Sequence, residues 1–232
     1  MAVDELDGVW LQSKFTPLDG HDLQRPLPYD AAAAIGEQVI QSFATSQRHL
    51  GVLTLDALVL HAPFRALDDT LAAWSAMSEL HGGQLVDFLG ISNIYDAEQF
   101  LAFFDRVAEK PRFVQNHLHQ GTRHLRPLLP LLAARNVSLQ LFWTLSGNGH
   151  VLNAPEFVAM AASHKLTPAQ LFYTFLLQRG LHDGVPVTIL DGTTDETHMR
   201  EDLAVASSAF DAALLSGDEL ARIRALLFQP GA

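Results

Sequence analysis

The sequence contains no cysteine. This excludes a disulfide scaffold, thiolate metal ligands and a cysteine nucleophile. Basic residues are scarce: 15 Lys and Arg stand against 26 Asp and Glu, a formal charge of −11. Such a chain repels phosphate backbones, so nucleic acid is not an expected partner. No apolar run approaches the roughly 20 residues of a membrane-spanning helix, and no membrane partner is expected. The opening MAVDELDGVW is acidic and lacks the basic and apolar regions of a secretory signal. The expectation is a cytoplasmic protein. Only 18% of residues are charged and 48% are apolar, a composition that collapses into a globule. At 232 residues the chain can bury one sizeable core, and a single domain over 1–232 is expected.

What is present is a regular alternation. Short apolar, β-compatible runs fall at 9–13, 55–60, 85–91, 113–115, 138–142 and 185–190. Helical patterns lie between them at 31–50, 68–80, 96–108, 124–134, 156–164 and 168–179, and after them at 195–205 and 218–227. Asp96 suits an N-cap, and Thr167 caps the helix that Pro168 begins. The 124–134 pattern must bend or restart at Pro127 and Pro130. Such alternation predicts an α/β fold, a parallel sheet covered by helices.

Polar or aromatic residues close every one of these strands. Lys14 ends the first, His61 the second, and Ser92 and Asn93 the third. Gln115 and Asn116 end the fourth, Trp143 the fifth, and Gly192, Thr193 and Thr194 the sixth. In an α/β barrel these ends meet at the face where active sites are built. Any one of them reads equally as a solvated rim residue; the joint pattern carries the functional expectation. His117, His119 and His124 cluster in sequence, but without a carboxylate in a fixed pattern they are a weak ligand set, and no metal is expected.

The segments KF after the first strand, LDALVLHAP, DTLAAWSAMSEL, LVDFLGISN, PRFVQN, LFWTLSGN, LTPAQLFYTFLLQRG and DGTTDETHMREDL together resemble the aldo-keto reductases, in order and spacing, from about Val9 to Leu227. The LFWTLSGN stretch and the GTTDE–HM ending are similar to fungal-type members. The resemblance implies a TIM (β/α)8-type barrel and carbonyl reduction, or alcohol oxidation, with NADP or NAD. Lys14 matches the family's catalytic lysine and His61 its catalytic histidine. Ser92, Asn93 and Gln115 match the residues that hold the nicotinamide carboxamide, and Trp143 the ring stacked upon it. Gly192, Thr193, Thr194, His198 and Asp202 fall in the loop that grips the adenosine end. A histidine can hydrogen-bond the carbonyl oxygen as charge develops there, and a general acid must protonate it.

The departures are equally specific. The chain begins at what would be the family's third strand, which implies about six βα units and an incomplete barrel. The family's catalytic tyrosine and aspartate precede its lysine; here only Asp4, Glu5 and Asp7 are acidic before Lys14, and no tyrosine is. Tyr29 and Tyr95 lie on loops and Tyr173 mid-helix. Weak or impaired reduction of a small-molecule carbonyl is therefore expected. His198 replaces the arginine expected at a 2′-phosphate, and a neutral imidazole cannot replace a bidentate guanidinium. The strands at 9–14 and 185–190 would be left as apolar open edges, which invite self-association. The alternative is a non-redox binding protein, or an enzyme of another class, on the same scaffold.

Overall fold

Short apolar runs can bury both faces only under helices, and the alternation resolves accordingly into strands and covering helices. The computed structural model describes residues 8–208 and 214–229; Asp4, Glu5 and Asp7 lie outside the described residues. The chain divides into two compact units, Met1–Val114 and Gln115–Ala232.

The first unit contains β1 (Gln12–Phe15), α1 (Ile35–Leu50), β2 (Leu55–Leu60), α2 (Leu67–Gly82), β3 (Val86–Ser92), α3 (Ala97–Arg106) and the start of β4 (Phe113–His117). Strands β1, β2 and β3 are parallel, with Lys14 opposite Val59 and Val59 opposite Gly90. Because side chains alternate along a strand, Gln12, Lys14, Ala57, Val59, Phe88 and Gly90 share one face. On that face Ala57, Val59 and Phe113 form a buried cluster. Gly90 is required there, because a Cβ would collide with the Phe113 ring. The opposite face carries Leu58, Leu60, Leu89 and Ile91, all buried. Asp96 caps α3, its carboxylate accepting the Gln99 N–H at 2.8 Å.

The second unit contains the rest of β4, then α4 (Leu129–Ala134), β5 (Ser138–Phe142), α5 (Gly149–Leu152), α6 (Pro155–Ser163), α7 (Pro168–Leu177), β6 (Val187–Ile189), α8 (Glu196–Ser208) and α9 (Gly217–Leu227). Strands β5 and β6 pair in parallel. Thr167 and Gln170 form a reciprocal capping box at α7, and Ser216 and Glu219 form another at α9. No helix among the described residues is long and apolar enough to cross a membrane.

Several boundaries differ from the sequence expectation. The first strand is not 9–13: Val9 and Trp10 are exposed, and the ladder starts where Gln12 meets Ala57. The first helix starts at Ile35, not residue 31, because the Gln38 amide bonds the carbonyls of Ala31 and Ala33 and holds a turn before it. The 124–134 helix is broken: Arg123, His124 and Leu125 are left-handed, with φ of +50°, +48° and +62°, and regular helix resumes only at Leu129. The sixth strand shortens to Val187–Ile189 and the fourth lengthens to His117. The short helix α5 had no periodic signal of its own.

Candidate active site

In the first unit, Lys14 lies at the carboxyl end of β1 and His61 directly after β2. Val59 is opposite Lys14, so His61, two residues further on, projects from the same face. Burial depresses the Lys14 ammonium below the usual lysine range. Burial, followed by the positive charges of Lys14 and His21, depresses His61. The imidazole is therefore neutral at pH 7. Its Nδ1 lies 3.0 Å from Thr16 Oγ1, which leaves Nε2 as the nitrogen available to a ligand.

The third strand end is tied to the second. Asn93, left-handed at φ +55°, donates from Nδ2 to the His61 carbonyl at 2.9 Å. Its Oδ1 accepts the Tyr95 hydroxyl at 2.8 Å. A short polar side chain tolerates this backbone conformation better than most. Ser92 is fully buried at the end of β3. Lys14, His61 and Asn93 are thus brought together on one rim of this unit.

The tyrosines are committed elsewhere. Tyr29 is buried and donates to the Thr16 carbonyl at 2.8 Å. Burial and the nearby Asp19 charge push its phenol up, away from the range of a useful acid. Tyr95 donates to Asn93, as above. Tyr173 packs in α7 and donates to Asp191 Oδ1 at 3.2 Å, and burial raises it as well.

In the second unit, Gln115 is buried on β4 and donates from Nε2 to Gln140 Oε1 at 2.7 Å. Trp143 follows β5 with φ +57° and is 59% exposed. The His117 ring stacks on it at 4.1 Å between centroids, and His119 stands edge-on to His117. Among the described residues no three His, Asp or Glu side chains are gathered to hold a metal ion.

The adenosine-end candidates are split. Gly192 lies in open space, where a Cβ would touch nothing. Thr193 Oγ1 accepts the Asp195 N–H at 3.1 Å, and Asp195 Oδ1 accepts the N–H groups of Thr197 and His198. Asp195 thereby caps α8, and those hydrogen bonds hold its carboxyl low. Thr194 and His198 are exposed. Arg200 is taken by Glu196 at 2.5 Å. Asp202 points the other way: burial and a hydrogen bond with Asp191 push its carboxyl up. It lines a cavity of about 500 Å³ with Tyr173, Val187, Ile189 and Leu203.

Sequence reasoning overlooked Thr16, and it weighed His117 only as a weak metal ligand and not as the partner of Trp143. Both were findable by alternation: Thr16 is two residues beyond Lys14, and His117 two beyond Gln115. The partnership of Asp202 with Asp191 had no such signal.

The first unit can stabilise negative charge at His61 Nε2 and Lys14, and the second exposes a flat ring at Trp143; the amides of Asn93 and Gln115 are spent on protein partners. The Aldo/keto reductase family model matches residues 7–227. An aldo-keto reductase of Mycolicibacterium smegmatis is 27% identical over 157 residues, 66% of this chain and 52% of the relative. One from Mycobacterium sp. strain KMS is 28% identical over the same length, 51% of that relative. The chain spans about half the length of the curated relatives it matches. Its fold is that of solved reductases: one from Brucella melitensis superposes with a TM-score of 0.74 at 19% identity, over 97% of this chain and 75% of that one. Another, from Klebsiella pneumoniae in complex with NADP and acetate, gives 0.72 at 22% identity, over 99% and 75%.

Proposed function

The chain belongs to the aldo/keto reductase family, and we propose that it is a single aldo-keto reductase-like domain that reduces small carbonyl compounds with a nicotinamide dinucleotide. The observation that carries this reading is the Lys14–His61 pair, on one face and at adjacent parallel strand ends, with His61 neutral and its Nδ1 held by Thr16.

The residues present fit the nicotinamide half of such a cofactor better than its phosphate. The exposed Trp143 ring of the second unit would stack on the nicotinamide, whereas Ser92 is buried and the Asn93 and Gln115 amides are already bonded to His61, Tyr95 and Gln140. When bound, the dihydronicotinamide supplies a hydride. His61 Nε2–H would donate a hydrogen bond to the carbonyl oxygen and the Lys14 ammonium would stabilise the negative charge that develops on it, with solvent water supplying the proton that completes the alcohol. Gly192, Thr193, Thr194, His198 and Asp202 would meet the adenosine end. None of the five brings a guanidinium or ammonium, so NADP gains little over NAD.

No tyrosine among Tyr29, Tyr95 and Tyr173 has a hydroxyl left to donate to substrate. Turnover by the 232-residue chain is therefore slow, by about 10²–10⁴ relative to a reductase with a positioned general acid. The outer edges of β1 and β6 would favour self-association.

The test is steady-state reduction of an aromatic aldehyde with NADPH and with NADH, together with nucleotide quenching of tryptophan fluorescence. Slow turnover that falls further in His61→Ala and Lys14→Met, and survives Tyr29→Phe, supports the reading. Turnover indifferent to His61 and Lys14 overturns the mechanism, and failure to bind either nucleotide points to the non-redox alternative.

A further inference from the structure

A second cavity of about 500 Å³ lies wholly within the second unit, lined by Gln120, Arg123, His124, Arg126, Phe228 and Gln229. Among the described residues no carboxylate lines it. That is notable in a chain of charge −11. Among the described residues neither Arg123 nor Arg126 forms an ion pair, whereas five other arginines do. The two guanidiniums are three residues apart, and Arg126 is held over the Phe228 ring at 5.1 Å. A guanidinium placed by an aromatic face is oriented before a ligand arrives.

The backbone that carries Arg123 is equally fixed. Arg123, His124 and Leu125 are all left-handed, a conformation that non-glycine residues keep only where the surroundings impose it. Here they do. His124 is buried, and its Nε2 lies 3.0 Å from Asn148 Oδ1. Asn148 in turn donates to the carbonyls of Leu118 and Thr144. The break turns Arg123 to the surface while His124 goes inward, its ring 6.0 Å from that of Phe228. The cavity therefore combines two planar cations that form no ion pair among the described residues, two amide side chains and an aromatic surface, in a volume suited to a small molecule.

We propose that this cavity is a binding site for a small aromatic carboxylate, its carboxylate on Arg123 and Arg126 and its ring against Phe228. The site does not depend on the reductase reading. It is built on the loops that follow β4 and β5 and on the residues after α9.

The experiment is an NMR titration of the full chain, followed at the arginine side-chain resonances, with benzoate, benzamide and acetate as probes. Benzoate should saturate and shift the Arg123 and Arg126 signals. Benzamide, lacking the charge, and acetate, lacking the ring, should each bind at least tenfold more weakly. Arg126→Gln and Arg123→Gln, both at exposed positions, should each weaken benzoate at least tenfold with an unchanged circular dichroism spectrum, while Lys14→Met leaves it unaltered. Equal binding of benzoate and benzamide would overturn the proposal. So would benzoate binding that survives both arginine substitutions, or that is lost in Lys14→Met alone, which would put the anion at the first unit's rim.

Discussion

Thr16 Oγ1 lies 3.0 Å from His61 Nδ1, and this contact decides which imidazole nitrogen is free to work. In the tautomer that carries the proton on Nε2, the hydroxyl donates to Nδ1 and the ring proton faces the side left for a carbonyl oxygen. Removing the hydroxyl frees both the tautomer and the ring angle. Thr16→Val should lower kcat about tenfold, the worth of one hydrogen bond of roughly 1.4 kcal/mol. Nucleotide affinity, measured by fluorescence quenching, should not change.

Lys14 and His61 share a face and repel each other once both are charged. Lys14→Met removes that repulsion, and the His61 pKa should rise from its depressed value towards the ordinary histidine range. Burial and His21 still act on the ring, so the rise is incomplete. The imidazole Cε1–H chemical shift followed against pH reads this without any turnover assay. An unmoved or lowered titration would show that the two side chains do not sense each other.

Gly90 faces Phe113 so closely that no Cβ fits between them. Gly90→Ala should cost about 1–3 kcal/mol through overpacking. In the Phe113→Leu background the same substitution should cost much less, because the two positions are coupled. Urea denaturation of the four combinations measures that coupling directly.

His124 is buried against Asn148, and burial is the main cause that lowers its pKa to about 4; the charges of His150, His119 and Arg126 add to this, against the Asn148 hydrogen bond. The unfolded chain takes up this proton near pH 6.5, the folded chain only near pH 4. Stability from this group is therefore complete above pH 6.5 and falls as the pH drops towards 4, by up to about 3 kcal/mol. Urea midpoints across that window should fall steeply for the parent chain. In His124→Gln the slope should flatten, the glutamine amide still being able to donate to Asn148.

The sequence by itself determined the order of strands and helices, and it did so for local reasons. The nearly continuous apolar run of β2 and the caps Asp96 and Thr167 depend on neighbours a few residues away, and they appear where the pattern puts them. Strand ends were legible too, because a parallel strand stops being apolar where it leaves the sheet. So Lys14, His61 and Asn93 could be singled out from one line of text, helped by the family resemblance. Only tertiary structure decided what each of them touches. The Thr16 hydroxyl meets His61 across 45 residues, Asn93 reaches the His61 carbonyl across 32, and Gln115 meets Gln140 across 25. Only packing could show that Tyr29 is spent on a backbone carbonyl, that Asp202 turns to Asp191, or that the chain breaks left-handed at Arg123, His124 and Leu125. Those outcomes follow from which buried polar groups must find partners, and the partners are brought close by the fold rather than by the sequence around them.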